Sequence, residues 1–108
     1  MNILIGERSM TTRPPKQTID VSGIYDDETL HEYLSKTLGF PGYYGFNWDA
    51  FWDCIRDDDQ SSMPHVLKVR GLDELRRLTP ESANKFEACL KDYVSELKDR
   101  SVIFEATT

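Results

Sequence analysis

The sequence predicts a small α/β domain, a three-stranded parallel sheet packed with about four helices. Three observations predict it. Three short apolar segments, QTIDVSG, HVLKVRG and SVIFEA, have the composition of strands. Between them lie segments with apolar residues at helical spacing, and strands separated by helices favour parallel pairing through right-handed crossovers. The 108 residues suffice for one hydrophobic core without metal or disulfide support.

Residues 1–16 read as an N-terminal extension and 17–108 as the domain. The RPPK segment interrupts regular structure at that boundary. Within the extension, NILI could pair as an edge strand. QTIDVSG alternates apolar Ile19 and Val21 with polar neighbours and meets Gly23. A helix follows: Asp26, Asp27 and Glu28 suit its N-terminus, Leu30, Leu34 and Leu38 form its stripe with Tyr33 beside them, and Gly39 and Pro41 stop it. PGYYGF is a loop. A second helix runs from Asn47, whose side chain can cap it, to Arg56. After HVLKVRG, the segment LDELRRL is a short helix. A longer one spans TPESANKFEACLKDYVSELKDR, with Thr79 as N-cap and Pro80 in its first turn. Its apolar stripe is Ala83, Phe86, Leu90, Tyr93, Val94 and Leu97.

The formal net charge of −6 argues against broad affinity for nucleic acid or anionic membrane, both of which attract basic proteins. Cys54 and Cys89 are the only cysteines and form no CxxC, which fits two reduced thiols in a cytoplasmic protein. No targeting or membrane-spanning pattern is present in the sequence.

The stretch YYGFNWDAFWDC, Tyr43 to Cys54, holds six aromatics and two aspartates. Placed on a helix at about 100° per residue, Trp48, Ala50, Phe51, Cys54 and Ile55 gather on a core face. Asp49, Asp53 and Arg56 point away, with Trp52 at the edge. Aspartates four residues apart destabilise a helix by about 0.2–0.5 kcal/mol. Asp49 complements the helix dipole from the first turn, but Asp53 and the run Asp57, Asp58, Asp59 do not. From Tyr43 to Met63, five Asp against one Arg leave −4 of the chain's −6. This is poor helix design and good design for binding a basic surface, where aromatics anchor and acids steer.

The same residues resemble the signature segment of the barstar family, intracellular inhibitors of the ribonuclease barnase. LGFP precedes the motif and PHVLKV follows it, and the resemblance runs from about Ile19 to Phe104, including the LT that opens the last long helix. The resemblance implies a cytoplasmic immunity protein without catalysis or cofactor, binding a basic ribonuclease or nuclease toxin one-to-one. It implies that the loop and acidic helix plug an active site lined with basic groups for RNA phosphate. Asp53 takes the place of the main acid entering that pocket and Asp49 that of the second. Tyr43 and Trp52 are flanking aromatic contacts, and Gly45 belongs to the loop that packs against the enzyme. Asn47 is structural. Asp92 and Glu96 are both candidates for the acid that the family uses on its last long helix. Arg56, Asp57 and Asp58 stand where the best-known member has small residues and a further Trp. Arg56 could oppose a basic pocket or pair with an acid of a different enzyme.

Rival readings find less support. RNA-recognition motifs open with Lys or Arg, which is absent before YYGFNW. Asp49 and Asp53 as an acid–base pair would lack any accompanying catalytic motif. DDDQSSM lacks the glycine of a calcium loop, having Ser62 in that position. His31 and His65 read as surface or strand-edge residues, and Trp48, Phe46 and Phe51 as packing residues. The serious alternative is a polyanion mimic directed at a basic toxin other than a ribonuclease.

Overall fold

In strand β1 (Lys16–Asp20) every second side chain turns inward, and its apolar Ile19 is buried. A computed structural model describes residues 14–57 and 59–106; NILI lies outside them. The order continues with α1 (Asp27–Leu38), α2 (Trp48–Arg56), β2 (Val66–Arg70), α3 (Leu72–Leu78), α4 (Pro80–Glu96) and β3 (Ser101–Glu105). The sheet order is β1-β2-β3, and both pairings are parallel. The α/β expectation of three parallel strands and four helices is met. Ahead of β1, the carbonyls of Pro14 and Pro15 accept from the backbone N–H groups of His65 and Val66.

The register places Ile19, Val69 and Phe104 side by side, with Gln17, Leu67 and Val102 on the same face. That face meets the helices, and Gln17 donates to the Thr37 carbonyl of α1 at 3.0 Å. The opposite face carries Lys68 and Arg70, both paired with Glu105, and the exposed Ile103. The core between sheet and helices is built from Leu30, Leu34, Leu38, Phe51, Ile55, Leu75, Phe86, Leu90 and Tyr93, all shielded from solvent. Each such large side chain contributes about 1.5–3 kcal/mol by leaving water.

Local signals set the helix ends. Asp26 caps α1 by accepting from the Thr29 N–H at 2.7 Å, and Gly39 closes it in the left-handed region at φ 72°. Asn47 caps α2 through Ala50 N–H at 2.8 Å. Thr79 precedes α4 but bonds the Ser82 hydroxyl rather than a backbone N–H, and Pro80 opens the helix as expected. The long helix is shorter than its pattern suggests. It stops at Glu96, and Leu97 is extended at φ −108°, ψ 94°. Arg100 turns back to bond the buried Tyr93 hydroxyl at 2.6 Å, which folds the chain toward β3. No helix among the described residues is long and apolar enough to cross a membrane.

Candidate functional site

Helix α2 divides as its periodicity implies. Phe51, Cys54 and Ile55 are buried, and Trp48 and Ala50 pack against the core from partly covered positions. Trp48 and Phe51 make ring contacts with Phe86 of α4, at 6.2 and 5.9 Å, so α2 lies along α4. The surface of α2 then continues onto α4. Asp49 and Asp53 are exposed on the first helix, Asp92 and Glu96 on the second.

The two acids of α4 are not equivalent. Glu96 accepts from Arg56 Nη1 at 3.2 Å, while Arg56 Nη2 lies 3.4 Å from Asp53. The Arg56 guanidinium sits 4.5 Å from the Trp52 ring. Arg56 is therefore held by its own chain, by two carboxylates and an indole. Among the described residues Asp49 and Asp92 have no ion-pair partner. Both act on the thiol of Cys89, which is pushed up to about 11, first by burial and then by the charges of Asp92 and Asp49. That thiol stays protonated at neutral pH, and both cysteines are free.

Asp57 ends α2. Its carboxylate accepts from the Asp59 N–H and from Gln60 Nε2, both at 2.9 Å. With Asp53, Arg56, Asp59 and Gln60 it lines an open concavity of about 580 Å³ beside the acidic stripe.

The loop before α2 is ordered by a few contacts. Tyr44 N–H donates to the Pro41 carbonyl at 3.0 Å. Asn47 Nδ2 donates to the Gly45 carbonyl at 3.1 Å, and a Cβ on Gly45 would crowd that same nitrogen. Phe46 holds φ 52°, a left-handed conformation that costs a non-glycine residue roughly 1–2 kcal/mol. As expected Phe46 packs, its ring against those of His31 at 6.1 Å and Tyr44 at 5.6 Å, but it covers them from the outside and stays 40% exposed. Tyr43 is 77% exposed, and its neighbour Tyr44 is buried.

One expectation is overturned beneath this loop. His31 is fully buried rather than at the surface. It lies on the α1 stripe of Leu30, Leu34 and Leu38, and that spacing was the available signal. Its Nδ1 is 2.5 Å from the Tyr44 hydroxyl, and its Nε2 faces Asp27 at 3.4 Å. That approach is not a hydrogen bond; Asp27 accepts instead from Ser82 at 2.6 Å and from the Trp48 indole at 3.2 Å. Asp27 is the i−4 neighbour of His31 on α1, but nothing local in the sequence announces Tyr44, Ser82 or Trp48, which come from the loop, α4 and α2. His65 is exposed ahead of β2.

Burial holds His31 below its ordinary value of 6.5, against the opposing pull of Asp27. A histidine depressed on folding stabilises the native state fully above its unfolded value, and that contribution is lost as pH falls toward the folded value. Urea midpoints should therefore decline as pH falls below about 6.5, by at most about 1.4 kcal/mol per pH unit. Carboxylates held low on folding, such as Glu87 and Asp20, release their contribution only below about 4.5. A flat profile just below pH 6.5, or a decline that His31→Gln leaves intact, would contradict the assignment.

The family described as Barstar (barnase inhibitor) matches residues 15–108. A protein of Bacillus subtilis (strain 168) named "Putative ribonuclease inhibitor YrdF" is 31% identical over 84 residues, which cover 78% of this chain and 90% of that protein.

Proposed function

The chain belongs to the barstar family, and from that premise we propose that it inhibits a basic ribonuclease in the cytoplasm of the cell that makes it. The inhibitor binds one-to-one and covers the enzyme's active site with the Tyr43–Gly45 loop and the exposed face of α2. Asp53 enters the basic pocket, Asp49 pairs beside it, and Tyr43 and Trp52 flank them. The carboxylates stand in for RNA phosphates, which is why an inhibitor of such an enzyme is acidic. No cofactor and no catalytic role belong to this reading.

The observation that supports it is the exposure of Asp49, Asp53 and Asp92 on the adjoining helices α2 and α4, with Tyr43, in the loop that leads into α2, 77% exposed. Between the two acids of α4, Asp92 is the better candidate, since Glu96 is already engaged by Arg56. Arg56 and Asp57 border the contact. Arg56 spares the partner an unpaired cation because Glu96 and Trp52 hold it.

The test is an RNA-cleavage assay with a barnase-type ribonuclease titrated with this protein. Activity should fall linearly to zero at one equivalent. Undiminished cleavage at excess inhibitor would move the function to a different basic toxin. The association rate should also drop steeply as salt rises, because charges on an exposed face are screened within about 8 Å at physiological ionic strength. A rate indifferent to salt would point to an apolar contact surface instead.

A further inference from the structure

His31 is a polar group at a position where leucine would continue the stripe of α1. Burying an imidazole costs free energy unless its nitrogens are partnered. Its nearest partner comes from the loop above it, which sends Tyr44 into the core. The Tyr44 hydroxyl, also shielded from water, meets His31 Nδ1 at 2.5 Å. With the ring proton on Nε2, which faces the Asp27 carboxylate at 3.4 Å without a hydrogen bond to it, Nδ1 is left to accept from tyrosine, the one hydrogen bond the imidazole makes among the described residues. The Trp48 ring, 4.3 Å from the imidazole, closes the site on the α2 side.

Tyr44 is the central residue of the surface loop, between Tyr43 and Gly45. Its ring is 8% exposed where that of Tyr43 is 77% exposed. Neighbouring side chains in this loop therefore turn opposite ways, and pinning Tyr44 inward keeps Tyr43 outward. The loop needs such a pin. Phe46 sits at φ 52°, a conformation that persists only where the surroundings impose it. Asn47 restrains the loop on one side through the Gly45 carbonyl, and Tyr44 restrains it on the other.

We propose that His31 is the positioning residue of the partner-binding loop, holding Tyr43 and Gly45 in their presented conformation through the Tyr44 hydroxyl. The consequence for binding rests on the inhibitor reading above. The consequence for the loop does not, and it is measured on the protein alone.

Three variants separate positioning from mere core filling. Tyr44→Phe keeps the ring and deletes the hydroxyl. His31→Asn retains an acceptor where Nδ1 stands, and His31→Gln moves it to where Nε2 stands. Two readouts are taken on each: ¹⁵N relaxation at Gly45 and Phe46, and exchange of the Tyr44 amide bonded to Pro41. In Tyr44→Phe, Tyr44 amide exchange should rise about two- to tenfold, the range for loss of one neutral hydrogen bond. Gly45 and Phe46 should become mobile while Leu67 and Val69 of β2 stay protected. His31→Gln should reproduce this pattern, and His31→Asn should restore the loop to near wild-type behaviour. Dissociation from a barnase-type ribonuclease should accelerate by the same factor in Tyr44→Phe and His31→Gln, at little-changed association rate.

An undisturbed loop in Tyr44→Phe overturns the proposal. So does uniform loosening of loop and β2 together, or identical loop behaviour in the Asn and Gln variants. A wild-type protein that fails to bind the ribonuclease sinks the inhibitor reading alone, because the loop measurements still decide the role of His31.

Discussion

Asp53→Ala should raise the dissociation constant for a barnase-type ribonuclease at least about thirtyfold, the roughly 2 kcal/mol that marks an interface hot spot. That size belongs to charged hot spots in general, the barnase–barstar pair among them, and is not particular to this chain. The carboxylate is 68% exposed in the free protein, where its one ionic contact among the described residues is a 3.4 Å approach from Arg56. Exposed pairs of that kind contribute about 0–1 kcal/mol, so the fold should hardly notice the change. Binding should notice it strongly, because the enzyme's basic groups would be left desolvated and unpaired. Asp92→Ala should cost clearly less, since Asp92 lies on α4, to the side of the loop and α2. Titration calorimetry on both variants, with thermal unfolding as control, decides the matter. Equal losses would mean that the contact is centred elsewhere on the acidic surface.

The second large effect falls on stability. Gly71 joins β2 to α3 at φ 87°, and a Cβ there would lie 2.6 Å from the Ser22 backbone nitrogen and 2.8 Å from the Ser22 Cβ. The neighbour is backbone, held in turn by Asp20, which accepts from both the N–H and the hydroxyl of Ser22. Gly71→Ala combines a left-handed residue with a Cβ, about 1–2 kcal/mol, with an overpacked junction, about 1–3 kcal/mol. A loss of about 2–5 kcal/mol is a large share of the 5–15 kcal/mol typical of a domain. The urea midpoint should fall sharply, and a midpoint within error of wild type would show that the β1–α1 turn yields freely. Gly23 offers a comparison, being also left-handed at φ 82° but with open space where a Cβ would go.

Element order, strand identity and most helix ends were legible because they are written in neighbouring residues. Asp26, Gly39, Asn47 and Pro80 act on backbone groups within a turn of themselves, so their roles survive without knowledge of the fold. The division of α2 into an apolar and an acidic face likewise follows from a fixed rotation per residue. The end of α4 did not follow, because the apolar period runs on through Leu97 while the Arg100–Tyr93 contact turns the chain away.

What only the tertiary structure decided lies between residues far apart in the chain. Arg56 meets Glu96 across 40 positions, and that contact separates Glu96 from Asp92 where spacing left both open. Asp27 meets Ser82 across 55, and His31 becomes a buried partner of Tyr44 rather than a surface side chain. A local pattern reports which face a side chain takes, through the period of its element. It carries no information about which other element closes over that face. For a histidine or an arginine that second fact determines whether the group is solvated, spent on an internal partner, or set to hold a surface in place.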